Sequence, residues 1–353
     1  MEGGSVGAQV VLGLDFGGSK IAAAVADLSG RRLGTSTVLT HPGRGARWNL
    51  ELGIATARAL LDDVAGGSEL AAAGACTFGI PAASEIRLAP AIPGWGELSL
   101  GIELAAAFGI AAVQVATDVK AAAAAEAATG ALAGHDPAVY VNLGTGLAIG
   151  IVCGGTVVSG ANGAAGEIGY CLRQPADVDL ASDDRVVLEE VVSGAGLSAS
   201  GSRLAGEDLS AADVFAGEAA DGRLAGALDD FVRELSFHLV NLAVALDPSR
   251  IAVGGGMARS WHRLEAPLRR ALEANVPYPP ELVLGAYPFD AALVGAVALG
   301  VEAAAETIAG GDTARGGESS NGHGGSARTS VGRHASDGTN SETIDRSPDQ
   351  GRV

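Results

Sequence analysis

Apolar residues follow two periods along this chain. Gln9 to Asp15 (QVVLGLD) is a continuous apolar run of strand length, and Lys20 to Asp27 (KIAAAVAD) is a second one across a Gly-Gly turn. Ala75–Ile80, Val113–Ala116, Val139–Leu143, Ala148–Cys153 and Ile251–Val253 predict further short buried strands. Helical spacing runs over Asn49–Ala65, where Leu52, Ala55, Leu60 and Leu61 fall near one face. Val119–Thr129 is alanine-rich and stops at Gly130, which predicts a helix with a glycine C-cap. Arg223–Leu246 predicts a long helix ended by Asp247-Pro248. Strands alternating with helices in this way predict an α/β fold.

One pattern occurs twice. Val11 to Asp27 (VLGLDFGGSKIAAAVAD) reads strand, glycine turn, strand, and Val139 to Gly155 (VYVNLGTGLAIGIVCGG) repeats that plan. The copies begin about 130 residues apart, a domain's length. Glycines at such turns let backbone N–H groups approach an anion closely. In the first copy Asp15 ends a strand beside Gly17, Gly18, Ser19 and Lys20, and a carboxylate there suits Mg²⁺. In the second, Thr145 between Gly144 and Gly146 can donate to a phosphate oxygen. Gly254, Gly255 and Gly256 follow a short strand and leave an open face at its end, where ligands bind in α/β sheets. Asp118 opens the alanine-rich helix. It is placed to be an N-cap, the commoner use of Asp there, or to accept a proton from a substrate hydroxyl.

Composition narrows the partners. Acidic residues number 41 against 23 basic ones, for a net charge of −18, which argues against nucleic acid and against an anionic membrane surface. With aromatics at 4%, small and aliphatic residues must fill the core. Cys76, Cys153 and Cys171 form neither a CxxC pair nor a disulfide framework, which fits the cytoplasm. The first residues, MEGGSVG, lack a signal pattern, and no apolar run reaches the roughly 20 residues of a membrane helix. From about 309 to 353 the chain is Gly, Ser, Thr, Asp and Arg, with six acids against five bases, and predicts a disordered tail.

In this order the motifs resemble the ROK sugar kinases, members of the sugar kinase/Hsp70/actin superfamily. The resemblance covers roughly residues 9–305. Asp15–Lys20 resembles the first phosphate loop, DxGGTK, with Ser19 for Thr. Gly79-Ile80-Pro81 resembles the sugar-side Gly-x-Pro loop, and Pro93-Gly94-Trp95 the approach to the sugar pocket. Thr117-Asp118 resembles the Asn-Asp pair whose Asp is the catalytic base. Gly144-Thr145-Gly146 resembles the second phosphate loop, Gly160–Gly169 the sugar-binding GAxGEIGH motif, Leu188–Gly194 the LExxxSG segment, and Gly254-Gly255-Gly256 the adenosine-side loop.

The resemblance implies a two-lobed actin-like fold, with one lobe of 1–116 plus 291–308 and a larger one of 117–290. It implies phosphorylation of a hexose or aminohexose hydroxyl by ATP with Mg²⁺. Asp118 would be the base, acting on O6, and Asp15 would hold the metal. Gly17, Gly18, Ser19, Lys20, Gly144, Thr145, Gly146 and Gly254–Gly256 would bind the nucleotide. Gly79, Pro81, Thr117, Asp118, Glu167, Tyr170 and Glu189 would bind the sugar. A homodimer is also implied. The departures lie on the sugar side: Tyr170 replaces the His shared by zinc and sugar, only Cys171 remains of the CxCGxxGC cluster, and Thr117 replaces Asn. Zinc needs about four ligands, so none is expected, and a modified glucose such as kanosamine becomes the expected substrate. The alternative is a non-catalytic sugar sensor or regulator. Because the first phosphate loop starts about ten residues in, a preceding helix-turn-helix is not expected.

Overall fold

The computed structural model describes residues 8–181, 184–218 and 221–316. Chain contacts divide it into Met1–Gly310 and Gly311–Val353. Within the second unit only the end of one helix is described, and residues 317–353 of the expected tail lie outside the described residues.

Two five-stranded sheets organise the first unit. The strands are β1 (Gln9–Phe16), β2 (Lys20–Asp27), β3 (Arg32–Leu39), β4 (Glu69–Thr77), β5 (Ile80–Pro81), β6 (Ile86–Arg87), β7 (Val113–Thr117), β8 (Ala138–Leu143), β9 (Leu147–Cys153), β10 (Thr156–Val157), β11 (Arg250–Gly254) and β12 (Glu281–Leu284). The helices are α1 (Gly45–Val64), α2 (Leu100–Phe108), α3 (Asp118–Thr129), α4 (Gly194–Ala205), α5 (Ala211–Gly217), α6 (Gly222–Leu246), α7 (Trp261–Asn275) and α8 (Ala291–Gly316). The first sheet has the order β3-β2-β1-β4-β7 and the second β10-β9-β8-β11-β12. In each, an antiparallel hairpin (β1/β2, β8/β9) is extended by two parallel strands. The two copies of the sequence pattern thus hold the same place in two sheets of the same plan, as in the actin-like fold.

The helical face of α1 differs from its expected one. Ala46, Leu50, Gly53, Ala57 and Leu60 are buried, while Ala55 is exposed. Gly53 and Asn49 hide that stripe from an apolar count. Gly53 packs against the Phe16 ring, and Asn49 turns its amide back to the backbone of His41 and Gly45.

Small residues let the sheets and helices close up. A methyl group on Gly13 of β1 would sit 2.8 Å from the backbone nitrogen of Val297 on α8. One on Gly295 of α8 would sit 2.8 Å from Cβ of Ala121 on α3 and run into its carbonyl. The helices therefore cross almost backbone to backbone, with Cys76, Ala121 and Ala296 as the packing at that crossing. On either side, α8 covers the first sheet and α3 covers the second. A core short of aromatic rings makes such close approach possible. Among the described residues, no helix is long and apolar enough to cross a membrane.

Candidate active site

The turns of the two repeated hairpins meet across a cleft of about 820 Å³. The Ser19 and Thr145 hydroxyls share a hydrogen bond of 2.7 Å from one loop to the other. Behind Ser19, the Gly17 N–H donates to the Lys20 carbonyl, and Thr40 Oγ1 donates to the Gly17 carbonyl at 2.8 Å. Behind Thr145, the first N–H groups of α4 close on the loop. Gly194 donates to Gly144 O at 2.9 Å and Ala195 to Thr145 O at 3.2 Å. Lys20 Nζ reaches the Phe289 carbonyl at 3.0 Å, and Gly255 N–H the Pro288 carbonyl at 2.8 Å. Gly255 has φ +92° and its α-carbon faces the Leu143 carbonyl, so a side chain there is excluded twice over.

Two carboxylates lie on the floor. Register places Asp15 of β1 beside Cys76 of β4, and Cys76 beside Ala116 of β7, so Asp15 and Asp118 stand at the ends of nearby parallel strands. This is where ligands sit in parallel sheets. Asp15 is 7% exposed, and its Oδ1 is buried with no hydrogen-bond partner. Burial raises its pKa to about 6 against the opposing pull of Lys20. Such an orphaned oxygen fits a hard divalent cation. Asp118 is the first residue of α3 and accepts from the Val119 N–H at 2.7 Å. Burial first, then the charges of Asp15 and Glu167, raise its pKa to about 7. The N-cap is Thr117, whose Oγ1 accepts from the Lys120 N–H. The cap reading of Asp118 is thereby corrected, and the Asp118 carboxylate lines the cleft.

Glu167, Tyr170, Glu189 and Gly79 line the cleft on its other side. Glu189 Oε2 accepts from the Leu147 N–H at 2.7 Å, and the Gly146 α-carbon packs on the same carboxylate. The residue expected to touch sugar thus also braces the second phosphate loop. Burial raises the pKa of Glu167 against the effect of Lys120, and burial raises that of Tyr170. The segment after Tyr170 is tied down by side chains. Arg173 forms a two-pronged ion pair with Glu234 of α6, and buried Asp177 accepts from the N–H groups of Arg173 and Gln174. Among the described residues, no three His, Cys, Asp or Glu side chains cluster as metal ligands.

Three expected site residues do not line this cleft. Gly254 packs against the buried Tyr140 ring, the Thr117 hydroxyl is committed to its helix cap, and Pro81 borders a separate apolar groove beside α2. Trp95 is likewise core, fully buried and donating to Thr77 Oγ1 at 2.8 Å. Other residues were missed by sequence reasoning. The Arg259 guanidinium stacks 4.3 Å over the Phe289 ring, and both line the cleft beside Gly255 and Gly256. Glu126, fully buried on α3, accepts from the N–H groups of Ala131, Ala286 and Tyr287 and fixes the loop that carries Phe289. A lone Glu within an alanine run was the available signal for it.

The profile described as "ROK family" matches residues 11–302. A glucokinase of Halalkalibacterium halodurans is 32% identical over 182 residues, which cover 46% of this chain and 54% of that protein. The chain therefore matches about half the length of that relative. Among solved structures, a ROK hexokinase from Thermus thermophilus is 28% identical with a TM-score of 0.67, covering 84% of this chain and 99% of that one. A ROK family glucokinase from Streptomyces griseus, in complex with glucose and AMPPNP, is 26% identical with a TM-score of 0.71, covering 83% and 99%.

Proposed function

The chain belongs to the ROK family, and we propose on that premise that it is an ATP-dependent sugar kinase acting on a hexose or aminohexose. The observation that carries this reading is the meeting of two glycine-hydroxyl loops over a pair of buried carboxylates. The N–H groups of Gly18, Ser19, Thr145 and Gly146, with the Ser19 and Thr145 hydroxyls, are donors for the phosphate chain supplied from both lobes, while the Gly17 and Gly144 N–H groups close their own loops. Asp118 accepts the proton of the sugar hydroxyl, taken as O6. That oxygen then bonds to the γ-phosphorus as the bond to ADP breaks. Asp15 holds Mg²⁺, which when bound neutralises charge on the transferring phosphate. Most of the acceleration comes from holding the reactants in line within a closed cleft.

The donor is read as ATP rather than polyphosphate, because the Arg259–Phe289 stack offers a flat surface where a base would lie. On the sugar side, Glu167 and Glu189 suit hydroxyls and, better, an ammonium group. With Tyr170 in place of His and Thr117 withdrawn into a cap, kanosamine is the proposed substrate within this class. Assembly as a homodimer and lobe limits of 1–116 plus 291–308 and 117–290 rest on the family resemblance, residence in the cytoplasm rests on the three unpaired cysteines, and all belong to the same proposal.

The test is ADP release from Mg-ATP with glucose, mannose, fructose, glucosamine, N-acetylmannosamine, allose and kanosamine. Sugar-dependent release with one strong responder is expected. Folded protein that binds sugar and releases no ADP with any of them would instead favour the non-catalytic sensor.

A further inference from the structure

Lys120 lies on α3 two residues after Asp118, and it does not line the cleft. Its Nζ donates to the carbonyl of Gly163 at 2.7 Å, within the Gly160–Glu167 loop. On the other side of that loop a methyl group on Gly163 would sit 2.9 Å from Cγ2 of Ile80 in β5. The loop that presents Glu167 is therefore held between β5 and one lysine. Gly163 has φ +74°, so its backbone conformation suits glycine and the contact on Ile80 leaves no room for more.

The charge of Lys120 acts where its hydrogen bond does. Burial pulls its pKa down, while the carboxylates of Glu167 and Asp118 hold it up. It forms no direct ion pair with either and acts on them through space. Lys20, which does line the cleft, is engaged on the Phe289 carbonyl at the nucleotide end. The carboxylates of Asp118, Glu167 and Glu189 line the cleft, and the Lys120 ammonium acts against the charge of the first two.

We propose that Lys120 is a positioning residue that sets sugar preference: anchored on the Gly163 carbonyl, its ammonium offsets the sugar-side carboxylates and lets the cleft accept a neutral sugar beside a cationic one. This rests on the kinase reading and names what tunes its substrate class. Removing the charge leaves the pocket more negative by one. Neutral sugars then lose the fixed loop, whereas a protonated aminosugar recovers part of that loss by attraction.

The experiment compares wild type, Lys120→Met and Lys120→Arg with glucose and glucosamine near neutral pH. For Lys120→Met, the KM for glucose is expected to rise with little change in kcat. The ratio of kcat/KM for glucosamine over glucose is expected to rise about tenfold, the size of one unit charge acting across a partly buried site. Lys120→Arg, which keeps the charge, should return the ratio to within about twofold of wild type. An unchanged ratio in Lys120→Met, or equal losses for both sugars, overturns the proposal. Should Lys120→Met not fold, Lys120→Gln reads the same ratio. If wild type turns over neither sugar and does not turn over kanosamine either, the kinase reading is what has failed; in either case the ratio of Kd values for glucose and glucosamine, measured by calorimetry, still decides the role of Lys120.

Discussion

At the scale of single residues, the site depends on carboxylates kept where water would not leave them. Asp118 has a pKa near 7 because burial and the negative charges of Asp15 and Glu167 disfavour its ionised form. A base with that value works close to neutral pH. We predict that kcat/KM falls tenfold per pH unit below about 7 as Asp118 takes up a proton, which a pH–rate profile with saturating ATP would check. The same shift has a stability cost with a definite sign. A carboxyl whose folded pKa lies above its ordinary value of 3.8 binds its proton more tightly in the folded chain. Stability is therefore gained as pH falls from about 7 toward 3.8 and is lost as pH rises through that window. Asp118→Asn should melt higher than wild type at alkaline pH, by about 3 °C for each roughly 1 kcal/mol removed. The difference should vanish near pH 4, which thermal melts at the two pH values would show. The types and order of these residues were legible in the sequence. What was not legible is which of two neighbours caps the helix, because Thr117 and Asp118 are both good caps and only backbone geometry separates them.

At the scale of elements, the strands of the two hairpins were readable because each hairpin is a pair of largely apolar runs separated by a glycine turn. β3 was not, since its alternation is of Thr and Ser on a sheet edge and lacks a hydrophobic face. α8 was hidden for the opposite reason. Its small apolar residues surround the helix where it packs against the first sheet and against α3, so no amphipathic period marks it. Gly130 does end α3 as expected, but with extended backbone in place of a left-handed turn, and the Glu126 carboxylate fills the space a side chain would need. The crossing of α3 and α8 is the most demanding of these contacts. Gly295→Val would drive a branched side chain into the Ala121 carbonyl. It should destabilise the protein by about 3 kcal/mol, at the upper end for overpacking, seen as a lower urea midpoint with an unchanged slope.

At the scale of the whole molecule, a duplicated sheet plan turns two weak loop motifs into one site. Each glycine turn alone is an ordinary hairpin end. Placed at the same position of two facing sheets, they join through Ser19 and Thr145 and enclose a cleft with acid on its floor. The 128-residue interval between Val11 and Val139 carried that arrangement in the sequence. The loop from Ala286 to Phe289 had no such marker. It is held at the cleft by residues far away in sequence: Glu126 gathers the Ala286 and Tyr287 N–H groups, Gly255 donates to the Pro288 carbonyl and Lys20 to that of Phe289.

The most direct test of the central claim follows the phosphoryl group itself. Phosphorus NMR of Mg-ATP with the responding sugar should show a new sugar phosphate at O6, formed one for one with ADP. Asp118→Asn, folded and still binding sugar, should form it more slowly by a factor of roughly 10² to 10⁴. Sugar phosphate made at the wild-type rate by Asp118→Asn would contradict the assignment of the base, and ADP formed without any sugar phosphate would contradict the kinase.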